Sequence, residues 1–541
     1  MPKLTIDGRE VTVEDGLNVI QAAERLNIEV PHYCYHPGLS ISGNCRMCLV
    51  EIEKMPKLQI ACNTKVTEGM VVYTTSPKAK AAQAAVLEFL LINHPIDCPI
   101  CDQAGECKLQ DYYMDYGAYH SRFPLEAKVH KRKVVDLGPH VVLDQERCIL
   151  CARCTRFLDE VTKTSELGIF SRGDQCYIDL FPGKTLDNPY SVNVVDVCPV
   201  GALTSKDFRF KARVWYLEKT ESICTKCANG CNIDIYHRRG EMYRFRPRYN
   251  PEVNQYWMCD EGRLWYKELQ KESRITRPLI RGEQEFTAGT WEKALGRAVE
   301  LLSRVKAEHR DGAIAGIIGA KATNEEAYLF SQLLEGQLES SQIAGLSWSP
   351  AEALHDDFLI KADKNPNTRG LQALGLLNGK ANAADILDAA AKGTVKVLLV
   401  FGIDLVTACG RDTVERALEN VEVIVFDTDY SPATEYAEVV LPIGTAPETD
   451  GTFTNYAGRV QRVRQAFPPP GEAKPGWEAL SLLNGKLGGT DYVSSTEIFT
   501  ELVKTVPAFA GLTYGKLGHH GALLTETAES AEPAVTPAQS L

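Results

Sequence analysis

The sequence predicts a multidomain protein of mixed α/β and α+β class: small cysteine-bearing α+β domains first, then a doubly wound α/β domain. Three observations predict this. Of the 17 cysteines, 16 lie before residue 260, most of them in short-spaced groups. From about residue 278 cysteine disappears except for Cys409, and apolar strands alternate with helices, the pattern of a parallel sheet. The 541 residues, 44% of them hydrophobic, are enough for several domains of roughly 100–200 residues with sizeable cores.

Charge and targeting narrow the function classes. Lys and Arg number 59 against 71 Asp and Glu, and the net charge of −12 excludes an extended nucleic-acid surface. No apolar run approaches the ~20 residues of a membrane span, and the N-terminal MPKLTIDGRE has no apolar signal region. A reducing, cytosolic-type compartment is therefore expected, where crowded cysteines point to metal rather than disulfides.

In chain order, residues 3–7 and 11–13 predict two short strands joined at Gly8, and residues 17–26 a helix. Cys34, Cys45, Cys48 and Cys62 follow with the spacing C-x10-C-x2-C-x13-C. Gly38, Ser40, Ser42, Gly43 and Asn44 lie in the first loop, where small residues let backbone N–H groups reach sulfur. Three thiolates on one loop plus a later cysteine suit a [2Fe–2S] centre, with a zinc ribbon as the alternative. Ala82, Val86, Phe89 and Leu90 predict one face of a helix that ends at His94, because Pro95 cannot continue it. HPIDCPICDQAGECKLQ (residues 94–110) then places His94, Cys98, Cys101 and Cys107 in one loop, a set that serves zinc or an iron–sulfur cluster. Residues 111–147 read as irregular surface plus a strand at 140–144. CILCARC gives Cys148, Cys151 and Cys154, and CPVGAL gives Cys198. Cys176, between them, reads as a buried free thiol. Cys224, Cys227, Cys231 and Cys259 are spaced C-x2-C-x3-C-x27-C. Residues 236–248 predict a basic strand pair turning at Arg239-Gly240, read either as charge beside a cluster or as a solvated hairpin.

These motifs carry a resemblance. The first set resembles plant-type ferredoxins in the wider-spaced variant of respiratory NADH dehydrogenases, which implies a β-grasp domain. The His94 stretch is similar to the one-histidine, three-cysteine [4Fe–4S] signature of the large iron–sulfur subunits of NADH–quinone oxidoreductase (respiratory complex I). NAD-linked hydrogenases and formate dehydrogenases share it. The Cys148 set resembles the bacterial ferredoxin run, and the Cys224 set the cluster-binding start of molybdopterin oxidoreductases. The resemblance implies one [2Fe–2S] cluster on Cys34, Cys45, Cys48 and Cys62. It implies three [4Fe–4S] clusters, on His94, Cys98, Cys101 and Cys107, on Cys148, Cys151, Cys154 and Cys198, and on Cys224, Cys227, Cys231 and Cys259.

In the second half, residues 313–319, 394–402 and 421–427 predict buried strands. Thr323 opens a capping-box helix, residues 383–392 a helix stopped by Gly393, and 412–420 another helix. TNEEAYLF, PNTRGLQALG and the stretch 438–463 resemble molybdopterin oxidoreductases. No cysteine stands where such an enzyme would bind molybdenum; Ser347 and Ser349 are the nearest candidates, and no molybdenum is expected. The chain ends soon after Trp477, before a further pterin-cleft domain, and residues 520–541 read as a disordered tail. The expected domains are 1–78, 79–137, 138–216, 217–277, 278–490 and 491–541.

The resemblance, over residues 1 to about 480, implies an electron-relay subunit of NADH–quinone oxidoreductase without its own flavin, NADH or quinone site. No G-x-G-x-x-G or G-x-x-x-x-G-K-[ST] motif occurs. Implied partners are a flavin- and NADH-binding subunit, a second ferredoxin-like iron–sulfur subunit and quinone-site subunits. The place implied is the peripheral arm of a membrane complex, on the cytoplasmic side of the inner (plasma) membrane, with no span of its own. In the family, electrons pass the [2Fe–2S] centre, the Cys148 cluster and then the His94 cluster, with the Cys224 cluster off the path. The alternatives are the catalytic subunit of an NAD-linked formate dehydrogenase and a zinc-stabilised scaffold.

Overall fold

The computed structural model describes residues 1–118, 120–283, 285–309, 312–377, 379 and 381–525. They form two compact units, Met1–Leu217 and Glu218–Leu541; each is taken by itself.

In the first unit, β1 (Lys3–Ile6) and β2 (Arg9–Thr12) make a hairpin through Asp7 and Gly8, whose φ values are 47° and 79°. The short helix α1 (Val19–Glu24) starts at a capping box of Asn18 and Gln21. With β3 (Leu49–Ile52), β4 (Gln59–Ile60) and β5 (Val71–Tyr73) the hairpin forms a five-stranded sheet of order β2-β1-β5-β3-β4, with β1 and β5 parallel. This is the β-grasp arrangement. Its core joins Leu4, Ile6, Ile20, Val50 and Val72 to the thiols of Cys48 and Cys62.

Helix α2 (Pro77–Asn93) is capped by Ser76 and hands the chain to His94 at its C-cap, where ψ of 130° ends the helix. Its buried face is Ala79, Gln83 and Leu87, not the expected Ala82, Val86, Phe89 and Leu90; Phe89 is 74% exposed. The face is rotated because Gln83 is buried, its amide donating to Leu49 O and Thr74 O. A second correction is α3 (Lys108–Tyr116), where irregular chain was expected; it buries Leu109 and Tyr112. Strands β6 (Val135–Asp136) and β7 (Val141–Leu143) follow, then α4 (Arg153–Glu160) and the hairpin β8 (Leu167–Phe170) and β9 (Tyr177–Leu180). Helix α5 (Asn193–Val197) leads to β10 (Leu203–Ser205), which completes a sheet of order β10-β7-β6.

The second unit opens with an antiparallel sheet of β11 (Glu218–Ile223), β12 (Asn232–Arg238) and β13 (Glu241–Pro247), turning at Arg239 and Gly240. Helices α6 (Asp260–Leu264) and α7 (Tyr266–Leu269) follow. The main body is a seven-stranded sheet. Its elements are β14 (Leu279–Arg281), β15 (Phe286–Ala288), α8 (Trp291–Glu308), β16 (Ile314–Gly319), α9 (Asn324–Gln332), β17 (Ile343–Leu346), α10 (Thr368–Ala373) and α11 (Ala383–Ala391). They continue with β18 (Val397–Phe401), α12 (Leu405–Cys409), α13 (Arg411–Leu418), β19 (Glu422–Asp427) and β20 (Ala437–Pro442). The order is β15-β14-β20-β19-β18-β16-β17, parallel from β20 to β17. Leu399, Phe401, Ile424 and Phe426 face a layer with α8 and α9, while Leu398, Val400, Val423 and Val425 face one with α11 and α13. Burial on both faces is why these strands read as unbroken apolar runs.

A third small sheet holds β21 (Gly451–Thr454) and β22 (Arg459–Val463), and α14 (Gly476–Lys486), α15 (Ser495–Thr505) and α16 (Tyr514–Leu517) follow. Its last strand, β23 (Ala522–Leu523), pairs with β22. The expected tail is thereby corrected from 520 to 525: His519 O and His520 O accept hydrogen bonds from Asn232, Arg248 and Asn250, and Thr525 N–H donates to Ala508 O. The rest of that expected tail lies outside the described residues. No helix among the described residues is long and apolar enough to cross a membrane.

Candidate metal centres

Each predicted ligand set converges. In the first, Arg46 and Gly43 hold φ of 60° and 62° and turn the loop back on itself. Cys34, Cys48 and Cys62 are fully buried, and Cys45 half-buried. The Cys34 sulfur meets the thiols of Cys45 and Cys62 and the backbone N–H groups of Asn44 and Cys45, which hold it far down; Cys45 and Cys62 are pushed far up in return. Cys48 shares Cys62 in the same way. Four sulfurs in mutual contact, with N–H donors already aimed at one of them, fit a group that binds thiolates.

In the second set, His94, Cys98, Cys101 and Cys107 line one cavity of about 660 Å³ together with Leu87, Leu109 and Met114. His94 Nδ1 is buried with no hydrogen-bond partner. Burial pushes the imidazole down to about 4, so it is neutral at neutral pH, the ligating form. Burial pushes Cys107 up to about 11 and raises Cys101 as well. A Cβ at Gly201 would lie 2.3 Å from Cys101 Sγ, so only glycine fits there.

The third set surrounds a cavity lined by Cys148, Cys151, Cys154 and Cys198 with Leu143, Ile178 and Val200. Leu150 and Ala152 take φ of 53° and 59°, and the Leu150 N–H donates to Cys148 Sγ at 3.4 Å. Burial raises all four thiols, Cys148 to about 12 and Cys151 to about 11. Thiols that protein alone keeps neutral become thiolates when a metal supplies the charge.

The fourth set, Cys224, Cys227, Cys231 and Cys259, is 5–6% exposed. Asn229 Nδ2 donates to Cys231 Sγ at 3.0 Å and the Gly262 N–H to Cys259 Sγ at 3.2 Å. A Cβ at Gly262 would sit 3.0 Å from Cys224 Sγ. Burial raises Cys224, Cys231 and Cys259. In the basic hairpin beside it, Arg244 lies over Tyr236 and Arg248 pairs with Glu221 and Asp234.

Among the described residues, no three or more His, Cys, Asp or Glu side chains are placed to hold a single metal ion. Cys176 is half-buried rather than buried, and is not among the residues lining the Cys148 cavity. Cys409 is half-buried at the end of α12. The hydroxyls of Ser347 and Ser349 are engaged internally, with Thr368 and Asn365 and with Asp363 and Lys364 respectively. Sequence reasoning missed Arg153, Arg156, Gly201, Asn229 and Gly262. The signal available for Arg153 was its place between two ligand cysteines.

Comparison with known proteins first defines a class. Family models match a 2Fe-2S iron-sulfur cluster binding domain at residues 2–77 and an NADH-ubiquinone oxidoreductase-G iron-sulfur binding region at 83–122. An NADH-quinone oxidoreductase subunit 3 ferredoxin-like domain matches 138–204, and an NDSU1/NuoG-like 4Fe-4S domain 217–267. Molybdopterin oxidoreductase matches 274–357 and 364–486. This is a protein with 2Fe-2S and 4Fe-4S binding domains joined to a molybdopterin-oxidoreductase-type α/β domain.

The relatives make the assignment particular. The mitochondrial NADH-ubiquinone oxidoreductase 78 kDa subunit of Candida albicans is 31% identical, covering 91% of this chain and 84% of that protein. The 75 kDa subunit of Reclinomonas americana is 43% identical over 66% of this chain and 51% of its own length, and the mitochondrial 78 kDa subunit of Neurospora crassa 44% over 63% and 45%. The chain thus spans about half the length of these last two. An NAD+-reducing [NiFe]-hydrogenase structure is 26% identical over 39% of this chain and 91% of its own, at a TM-score of 0.35. The chain belongs to the family of the 75 and 78 kDa subunits of NADH–quinone oxidoreductase.

Proposed function

We propose that this chain is an electron-relay subunit of an NADH–quinone oxidoreductase. It would take electrons from a flavin- and NADH-binding partner and pass them, by way of a second ferredoxin-like subunit, towards quinone. The four sets would hold one [2Fe–2S] and three [4Fe–4S] clusters, each supplying a site that takes up and releases one electron.

The observation that carries this reading is the placement of the Cys148 set between the other two sets of the first unit. On one side, Arg153 and Arg156 bond to carbonyls of the Cys34 loop. On the other, Pro199 O accepts from the Lys108 N–H at 3.1 Å, and Gly201 abuts Cys101. A relay in the order Cys34 set, Cys148 set, His94 set needs that contiguity. The chain's own residues bury the sulfurs, aim N–H donors at them and keep His94 neutral. The α/β domain serves as scaffold, since Ser347 and Ser349 are bound internally. The complex would place this subunit in the peripheral arm, on the cytoplasmic side of the membrane.

Elemental analysis tests the reading. Iron with acid-labile sulfide is expected; zinc alone would make the chain a scaffold, and added molybdenum a formate-dehydrogenase-type subunit. The isolated chain should not oxidise NADH until its flavin-bearing partner is added.

A further inference from the structure

Two arginines of the first unit sit where the Cys34 and Cys148 sets meet. Arg153 lies between Cys151 and Cys154 and donates to Tyr35 O, next to Cys34, and to Val197 O, next to Cys198. Its Nε is buried with no hydrogen-bond partner. Arg156, one turn along α4, donates to Cys34 O at 2.5 Å, to Ser40 O and to Ala152 O, and reaches Cys151 O at 3.5 Å. Asn44 Nδ2 donates to Leu150 O, and Ser40 bonds Glu160, along the same seam.

Carbonyls need only neutral donors, so hydrogen bonding alone does not explain two half-buried cations in one seam. Both guanidiniums bond carbonyls of the Cys34 loop while sitting on α4, the helix that carries Cys154.

We propose that Arg153 and Arg156 are positioning residues shared by two cluster sites: they lock the Cys34 loop onto the Cys148 loop and hold a common positive charge that raises the reduction potential of both clusters together. This rests on the reading of those two sets as cluster ligands. A cation in a low-dielectric setting stabilises the reduced, more negative cluster.

The experiment is a redox titration followed by paramagnetic resonance on the full chain loaded with iron and sulfide. In Arg156→Gln both midpoint potentials should fall together, and Arg156→Lys, which keeps the charge, should restore most of the shift. Ser40→Ala breaks a seam contact but keeps both cations, and should move neither potential. Asn44→Lys adds a cation to the seam and should raise both, which keeps the test open where a Gln variant loses iron. Unmoved potentials in Arg156→Gln or Asn44→Lys, movement confined to one set, or a Lys variant no better than Gln would overturn the proposal. Two wild-type signals with unmoved variants sink this proposal alone; a wild-type chain that loads neither set sinks the proposed function with it.

Discussion

The five-stranded sheet of the first unit and the seven-stranded sheet of the second are built on different principles. In the second, five parallel strands bury both faces against helices, and the core runs through Leu399, Phe401, Ile424 and Phe426 on one side and Val400 and Val425 on the other. In the first, sheets are short, of two, three and five strands, and the core of the five-stranded sheet counts the Cys48 and Cys62 thiols among its members. The seven-stranded sheet is held by apolar area; the five-stranded sheet takes cysteine thiols into its packing. The lesson is that ligands proposed for the first unit would serve stability and function together, whereas the seven-stranded sheet stands on apolar packing and the Cys224 set of the second unit lies outside it.

Removing iron should break the comparison most sharply, because binding energy at such sites is folding energy. Chelation under reducing conditions should strip hydrogen-exchange protection from residues 1–217 while amides of β16, β18 and β19 keep theirs. Equal protection in both units without iron would show that the first unit stands on its own. Next in size, His94→Ala leaves a four-ligand centre with three. It should lose that cluster's share of the iron, whereas His94→Cys should keep the iron and lower its potential, since a thiolate adds negative charge. Full iron content in His94→Ala would remove His94 from the ligand set.

Phe401→Ala tests the apolar side. Phe401 is 1% exposed and packs on Phe330 and Phe426. The substitution should cost about 3–5 kcal/mol in denaturant melts, with the cluster signals of the first unit unchanged. The second unit also has a polar seam. Glu325 is fully buried and accepts from Thr452 N–H and Oγ1 and from Tyr514 Oη; burial raises its carboxyl to about 7. The folded state then holds the proton more tightly than the unfolded one. Its stabilising share is present below about pH 4.5 and lost as pH rises through about 7, on the order of 3 kcal/mol in all. Glu325→Gln should flatten that pH dependence of unfolding. Smallest, Ser76→Ala removes the hydroxyl that caps α2 through the Ala79 N–H. It should cost about 1 kcal/mol, and iron content should hold; loss of the His94 cluster would mean the cap also positions the ligand.

Local signals carried most of what the sequence disclosed. The capping box at Thr323 and Glu326, the helix stop at Gly393 with φ of 73° and the apolar strands are where short-range chemistry put them. The side chains proposed as ligands stand in short-spaced groups that local spacing could pick out, with Cys62, Cys198 and Cys259 joining from further along the chain. What was hidden depends on partners far along the chain. The face of α2 turned on a buried Gln83 that periodicity treats as solvent-facing. Helix α3, KLQDYYMDY, looked polar until Tyr112 met Tyr33 and Glu29. Arg153 and Arg156 act across 118 and 122 residues, beyond the reach of any window.

The return of residues 519–523 to the Cys224 module sets a timetable for biosynthesis. Asn232, next to Cys231, donates to His519 O, and Arg248 and Asn250 hold the same segment. A nascent chain emerges N-terminus first, so the three ligand sets proposed for the first unit are complete before residues of the second unit emerge. The Cys224 set is also translated early, yet the wall of its module closes only when residues from beyond 518 leave the ribosome. Insertion at the sites proposed for the first unit could therefore accompany synthesis, whereas the proposed fourth site would stay open to its assembly machinery, and to oxygen, until residues 519–523 have been made.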